Sequence, residues 1–285
     1  MTHGSHVRMI EVPQPGELVI TKHGVMLVNR NDVFIGHSLI RYGEYCEGEL
    51  DVVLPLIDAR GVVVEVGSNI GSHTVPLAQR AASVGTQVIA FEPQPVVFQN
   101  LCANLALNGI RNTRAWPVAL GDATTNLSFA EPDYDSPGNF GGVAMATPVE
   151  TNRVIVPCAM LDDVLAGHDV SLIKLDVEGF ELKLLKGGTG ILSRSRPALY
   201  LENDRVDGSA ALIDWLWAMD YRIWWHFCPL FNPTNWAGNL MNVFGKVHAF
   251  NMLALPREYG GGIPAGLGNE VTDLAWHPLC QPPAT

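Results

Sequence analysis

The run Val62-Val63-Val64-Glu65-Val66-Gly67-Ser68-Asn69-Ile70-Gly71-Ser72-His73-Thr74, answered downstream by Ile89-Ala90-Phe91-Glu92-Pro93, constrains the fold more than any other feature of this chain. An unbroken row of β-branched residues predicts a strand buried on both faces, as in a parallel sheet. Gly67 and Gly71 then bracket a tight turn where backbone approaches a ligand before a helix begins. Glu92 closes the second strand. An acid there, roughly 20 to 30 residues after the first glycine turn, is placed to accept hydrogen bonds from the two hydroxyls of a ribose.

Charge discriminates between the cofactors such a turn can hold. A dinucleotide turn sets pyrophosphate on a helix N-terminus and carries a third glycine, whereas this turn lacks the full Gly-x-Gly-x-x-Gly pattern and has Glu65 at the strand end. A carboxylate repels phosphate and suits a ligand with an amino group and a sulfonium, which describes S-adenosylmethionine. Gly67, Asn69 and Gly71 are the expected turn contacts, with Glu65 near the amino acid end and Glu92 and Pro93 at the ribose. An NAD(P)-dependent Rossmann oxidoreductase is the enzymatic alternative, and a catalytically silent methyltransferase-like scaffold is the alternative from another class.

The strand and turn from Glu65 to Thr74, then Phe91-Glu92-Pro93-Gln94-Pro95, Asn104 with Leu107-Asn108, and Ile173-Lys174-Leu175-Asp176-Val177-Glu178-Gly179-Phe180-Glu181 together resemble the FkbM-type methyltransferase family. The likeness is ordered along the chain from about Tyr42 to Pro256, and the Lys-Leu-Asp-Val-Glu-Gly-Phe-Glu segment is its most specific piece. It implies a class I, S-adenosylmethionine-dependent O-methyltransferase acting on a hydroxyl of a sugar, glycoconjugate or secondary metabolite. Two departures, Glu65 for the family's frequent Asp and Ser68 for its Ala, keep the chemistry. Ala119-Leu120-Gly121-Asp122 resembles the stretch that passes the adenine, so Asp122 is either an acceptor for the adenine amino group or a surface turn carboxylate.

Methylating an alcohol requires removal of its proton, and two routes are open. In one, a carboxylate among Asp176, Glu178 and Glu181 acts as general base, with Asp176 preferred because it ends a strand; Glu178 and Glu181 belong to the approach of the next helix. In the other, Asp176, Glu202 and Asn203 hold Mg²⁺ through oxygen ligands, an arrangement that resembles that of catechol O-methyltransferases. Trp224 to Asn242 combines aromatic rings with amides and imidazole, the groups that grip polyhydroxylated rings, so His226, Asn235 and Trp236 are the acceptor-binding candidates. His73 either touches the cofactor carboxylate or sits in the first helical turn.

Composition narrows the partners. A formal charge of −11 disfavours nucleic acid, and 47% hydrophobic with 16% charged residues suits a globular enzyme. No uncharged run spans a bilayer, the polar start Met1 to His6 lacks the apolar core of a signal peptide, and five scattered cysteines fit a reduced cytoplasm. A homo-oligomer is compatible with all of this. The expected organisation is a strand-rich cap and lead-in helix over 1–57, a methyltransferase domain over 58–256, and a Gly/Pro-rich tail over 257–285, either poorly structured or packed on a partner subunit. Within the domain, strands and helices alternate to give a seven-stranded, mostly parallel sheet with helices on both faces. The Gly/Pro/Asp-rich insertion Glu131 to Gly142 is a lid candidate or a mobile surface loop.

Overall fold

In a computed structural model, residues 12–144 and 153–280 are described. Residues 1–11, which include the polar start, 145–152, and 281–285 at the end of the tail lie outside them. The chain opens with a hairpin, β1 (Gly16–Thr21) and β2 (Gly24–Asn29), then α1 (Ile35–Tyr42), α2 (Glu47–Val53) and a single 3-10 turn, Leu54–Leu56. The alternating core follows as β3 (Val62–Val66), α3 (Thr74–Ser83), β4 (Val88–Phe91), α4 (Pro95–Leu107) and β5 (Thr113–Trp116). Next come β6 (Ala119–Gly121), β7 (Thr125–Ala130), β8 (Arg153–Met160) and α5 (Leu161–Val164). The second half of the core contains β9 (Val170–Leu175), α6 (Glu181–Lys186), α7 (Thr189–Ser195), β10 (Ala198–Glu202), α8 (Val206–Ala218), β11 (Tyr221–Pro229) and β12 (His248–Pro256).

Seven strands form the main sheet in the order β11-β12-β10-β9-β3-β4-β5. β12 runs antiparallel to both of its neighbours, and the pairs from β10 through β5 are parallel. Hydrophobic runs explain the arrangement. Every residue of β4 and β9 is buried, which requires cover on both faces. Leu184, Leu192, Leu212 and Leu216 of α6, α7 and α8 pack on one face, and Val52, Leu77, Ala78 and Ala81 of α2 and α3 on the other. Progression reverses between β3, which leads outward to β4 and β5, and β9, which leads outward to β10. A crevice opens at such a switch point, beyond the carboxyl ends of the strands.

The seven-stranded, mostly parallel sheet expected from the alternating pattern is present. Between β5 and α5, however, the chain builds a second sheet of three strands, β6-β8-β7, that the sequence pattern did not announce. β6 has only three residues, and β7 and β8 are largely exposed or half-buried, so their pattern is faint. The N-terminal hairpin is fastened by two amides of α4. Asn104 accepts from the Leu27 N–H and donates to the Leu27 and Ile70 carbonyls, while Asn108 brackets Val25 in the same way.

The tail packs on its own chain. Gly268 and Val271 donate backbone hydrogen bonds to Trp225 and Ile223 of edge strand β11, and Arg222 makes two bonds to Glu270. Trp276 meets Trp225 edge to face, and His277 is buried nearby. The segment thus covers a sheet edge that would otherwise expose unpaired N–H and C=O groups.

Candidate active site

An open cleft of roughly 1250 Å³, counting its solvent-filled mouth, lies at the switch point. Gly67, Asn69, Glu92 and Pro93 form one side of it, and Asp176, Glu178 and Glu202 another. Local backbone chemistry shapes the floor. Gly67 has φ 81°, and a Cβ there would stand 1.8 Å from the Asp176 carbonyl oxygen, so the β3 and β9 ends meet only because this residue is glycine. Asn69 also adopts positive φ, 47°, with its side-chain oxygen accepting from the Ile70 N–H.

Glu92 fixes the turn from the neighbouring strand. Its two carboxylate oxygens accept from the backbone N–H groups of Asn69 at 2.9 Å and Gln94 at 2.8 Å. Burial pushes its carboxyl up to about 7 against the pull of those bonds. Each oxygen retains a second lone pair.

Asp176 follows the last residue of β9 and is half-exposed in the cleft, so the strand-end expectation holds for its position. Glu178 takes positive φ, 56°, and turns into the same space, paired with Arg205 at 2.7 Å. Burial and the neighbouring Asp176 raise its carboxyl to about 7. Glu202 stands opposite. Its Oε2 is buried without a hydrogen-bond partner, and burial together with Asp176 and Glu178 drives its carboxyl well above the ordinary range. One oxygen from each of these three acids falls within 4.8 Å of the others. Like charge at this spacing disfavours the ionised forms of Glu178 and Glu202. Glu181 instead caps the loop, accepting from the Val177 and Gly179 N–H groups.

Several expected site residues lie elsewhere. Glu65 does not line the cleft: it is buried beneath the turn, where it accepts from the Thr74 hydroxyl, and burial raises its carboxyl to about 7. Gly71 also sits behind the lining, its α-carbon close to Leu101. Asp122 is an exposed turn residue outside the lining. Asn203 stands outside the cleft lining, its amide nitrogen donating to the Ser209 hydroxyl and lying 3.3 Å from the Met252 sulfur, whereas Glu178 joins Asp176 and Glu202 in the acidic cluster. His73 is buried against the Tyr45 carbonyl, and desolvation lowers its imidazole to about 3, which keeps it neutral.

The three expected acceptor-binding residues stand apart from the cleft. His226 is buried and bonded through Nδ1 to the Tyr200 hydroxyl at 2.7 Å. Asn235 spends its amide on Asn232 and Asn239, and Trp236 lies on Gly43 at the end of α1. None of the three lines the cleft. The wall on that side comes from Leu230, Val247, His248 and Ala249, with Phe34 and Tyr45 from the N-terminal segment. The insertion contributes Asn139, Gly141, Gly142 and Val143 to the rim. It is held by the Phe140 carbonyl on the Gln94 amide and by the pairing of Gly138 with Asn31 and Val33.

Lys174 received no role from the sequence. It is 3% exposed on a central strand, with Nζ 3.8 Å from both Glu49 Oε2 and Asp176 Oδ2. A lysine inside the hydrophobic run Ser-Leu-Ile-Lys-Leu was the available signal, since lysine is almost never buried unless paired.

The strand order, the reversed β12 and the cleft at the switch point define a class I methyltransferase fold. Residues 65–223, more than half of the chain, match the methyltransferase FkbM domain, and the chain belongs to that family. Among its relatives, Methyltransferase 1 of Beauveria bassiana is 29% identical over 147 residues, covering 44% of this chain and 57% of that protein. Hexuronic acid methyltransferase AglP of Haloferax volcanii is 31% identical over 159 residues, covering 51% of this chain and 58% of the relative. The chain therefore spans a little over half the length of each. A solved FkbM methyltransferase from Methylobacillus flagellatus KT aligns at a TM-score of 0.44 with 18% identity, over 68% of this chain and 43% of that one. Membership of a methyltransferase family sets aside the oxidoreductase alternative. No helix among the described residues is long and apolar enough to cross a membrane.

Proposed function

We propose that the chain transfers a methyl group from S-adenosylmethionine to a hydroxyl of a sugar, glycoconjugate or secondary metabolite. The observation that carries this reading is the meeting, in one cleft at the switch point, of the Gly67–Asn69 turn with its Glu92 anchor and the strand-end carboxylate Asp176. The residues present fit the donor: Glu92 offers lone pairs to ribose hydroxyls, and Leu120, Val177 and Phe180 offer apolar surface suited to a purine. The bound donor supplies a methyl group activated on a sulfonium.

The chain's own part is to orient the acceptor and take its proton. With donor and acceptor in place, Asp176 would receive the hydroxyl proton as the acceptor oxygen is methylated. A sugar acceptor is supported by the hexuronic acid methyltransferase among the relatives. The excess of acid in this chain argues against nucleic acid as acceptor. A cytoplasmic location remains part of the reading, consistent with five unpaired cysteines. Calorimetry with S-adenosylmethionine and NAD, followed by labelled methyl transfer to hexuronic acid-containing saccharides, tests it. Binding of NAD alone would reject the donor, and binding without transfer to any hydroxyl would favour a silent scaffold.

One observation favours a second route for the proton. The three oxygens of Asp176, Glu178 and Glu202 within 4.8 Å, with Glu202 Oε2 unpartnered, form a set that divalent cations such as Mg²⁺ accept. A chelator should then abolish turnover and Mg²⁺ restore it. With Asp176 acting alone, chelation should leave the rate unchanged.

A further inference from the structure

A polar row crosses the centre of the sheet where apolar residues would be the rule. Strand register places Glu65 of β3 and Tyr200 of β10 on either side of Lys174 of β9, and all three are buried. Glu49 of α2 covers the row. It is 3.8 Å from Lys174, accepts from the Asn251 amide at 3.0 Å, and stands 3.7 Å from His73, which is neutral. Lys174 is the only cation within ion-pairing distance of Asp176 among the described residues.

We propose that Lys174 is a positioning residue that holds the Asp176 carboxylate in its working place in the cleft, with Glu49 of α2 anchoring the lysine from below. The proposal rests on the reading that Asp176 acts on the acceptor. Alternation along β9 is the geometric reason: residues two apart lie on the same face of a strand, so Lys174 and Asp176 point the same way, one within the sheet and one just beyond its end. A buried ammonium has few rotamers left, and a half-exposed carboxylate has many. The lysine therefore restricts the aspartate. Glu49 also makes α2, which precedes the family-matched residues, a component of the site rather than a passive cover.

Replacing both buried partners by neutral groups leaves no uncompensated charge between them, a change that is often tolerated. The double variant Lys174→Met with Glu49→Gln thus separates stability from positioning. The proposal expects it to melt near wild type and bind S-adenosylhomocysteine within about twofold, yet to lose at least about tenfold in kcat with acceptor KM little changed. Glu49→Gln alone, which keeps the lysine but loosens its anchor, should lose kcat by less than the double variant does. A folded double variant with wild-type kcat would overturn the proposal, as would an equal loss in Glu49→Gln. If the double variant does not fold, Lys174→Gln, which keeps a donor and drops the charge, decides by the same readout. Asp176→Asn is measured alongside. Should Asp176→Asn keep full turnover, the underlying reading falls; should it be inactive while the double variant turns over normally, only the lysine proposal falls.

Discussion

Glu92→Ala should separate cofactor binding from folding. The carboxylate accepts two backbone hydrogen bonds, from Asn69 at 2.9 Å and Gln94 at 2.8 Å, and bonds to a charged acceptor contribute about 1.5 to 3 kcal/mol each. Their loss therefore costs roughly 4 kcal/mol. Burial works the other way: it pushes the carboxyl up to about 7 even with those bonds in place, and alanine removes that desolvation cost, so folding stability at pH 8 falls by less than the two bonds alone would cost. Binding has no such offset. Losing both ribose contacts should weaken S-adenosylhomocysteine by about 2 to 3 kcal/mol, or roughly 30- to 150-fold. Urea unfolding and calorimetry at pH 8 read the two quantities independently. Wild-type affinity in a folded Glu92→Ala protein would refute the ribose assignment.

Glu65→Gln should be more stable than wild type at pH 8 by up to about 3 kcal/mol and indistinguishable from it near pH 4.5. The sign follows from a folded-state carboxyl raised to about 7: the folded protein binds the proton more tightly, so the penalty is absent below 4.5, grows as pH rises, and is complete above about 7. Urea unfolding at both pH values checks this, and a wild type that is the more stable protein at pH 8 would contradict it. Asn235→Ala removes three hydrogen bonds internal to the loop, so it should lower stability by about 1 to 3 kcal/mol while leaving cofactor affinity unchanged. A rise in acceptor KM without loss of stability would return that loop to the site.

The sheet was legible because its central strands are almost wholly buried and the turn after β3 is marked by Gly67 and Gly71, so composition and period agree locally. Strand-end acids were legible for the same reason: Glu92, Asp176 and Glu202 interrupt apolar runs where only a ligand or a partner explains a carboxylate. Direction was not. Glu65 and Asn203 stand beside those positions, yet one faces down to Thr74 and the other back to Ser209, and period alone does not say which way a residue at a strand end turns. The tryptophan-rich stretch was ambiguous because stacking surface for a sugar and core surface use the same residue types: Trp224 and Trp225 are buried in the core, while Trp236 is half exposed outside the cleft lining. Glu49 and Lys174 meet only through tertiary packing, 125 positions apart in sequence. No local pattern carries that pairing.

The most direct test of the account is the structure of the protein soaked with S-adenosylhomocysteine. The account predicts the ligand in the switch-point cleft, its ribose hydroxyls on Glu92, its backbone contacts from Gly67 and Asn69, and its sulfur toward the side of the cleft that holds Asp176 and Glu202. A ligand that binds elsewhere, or that occupies the cleft with Glu92 and Asp176 out of reach of it, would contradict the assignment of this cleft as a methyl-transfer site.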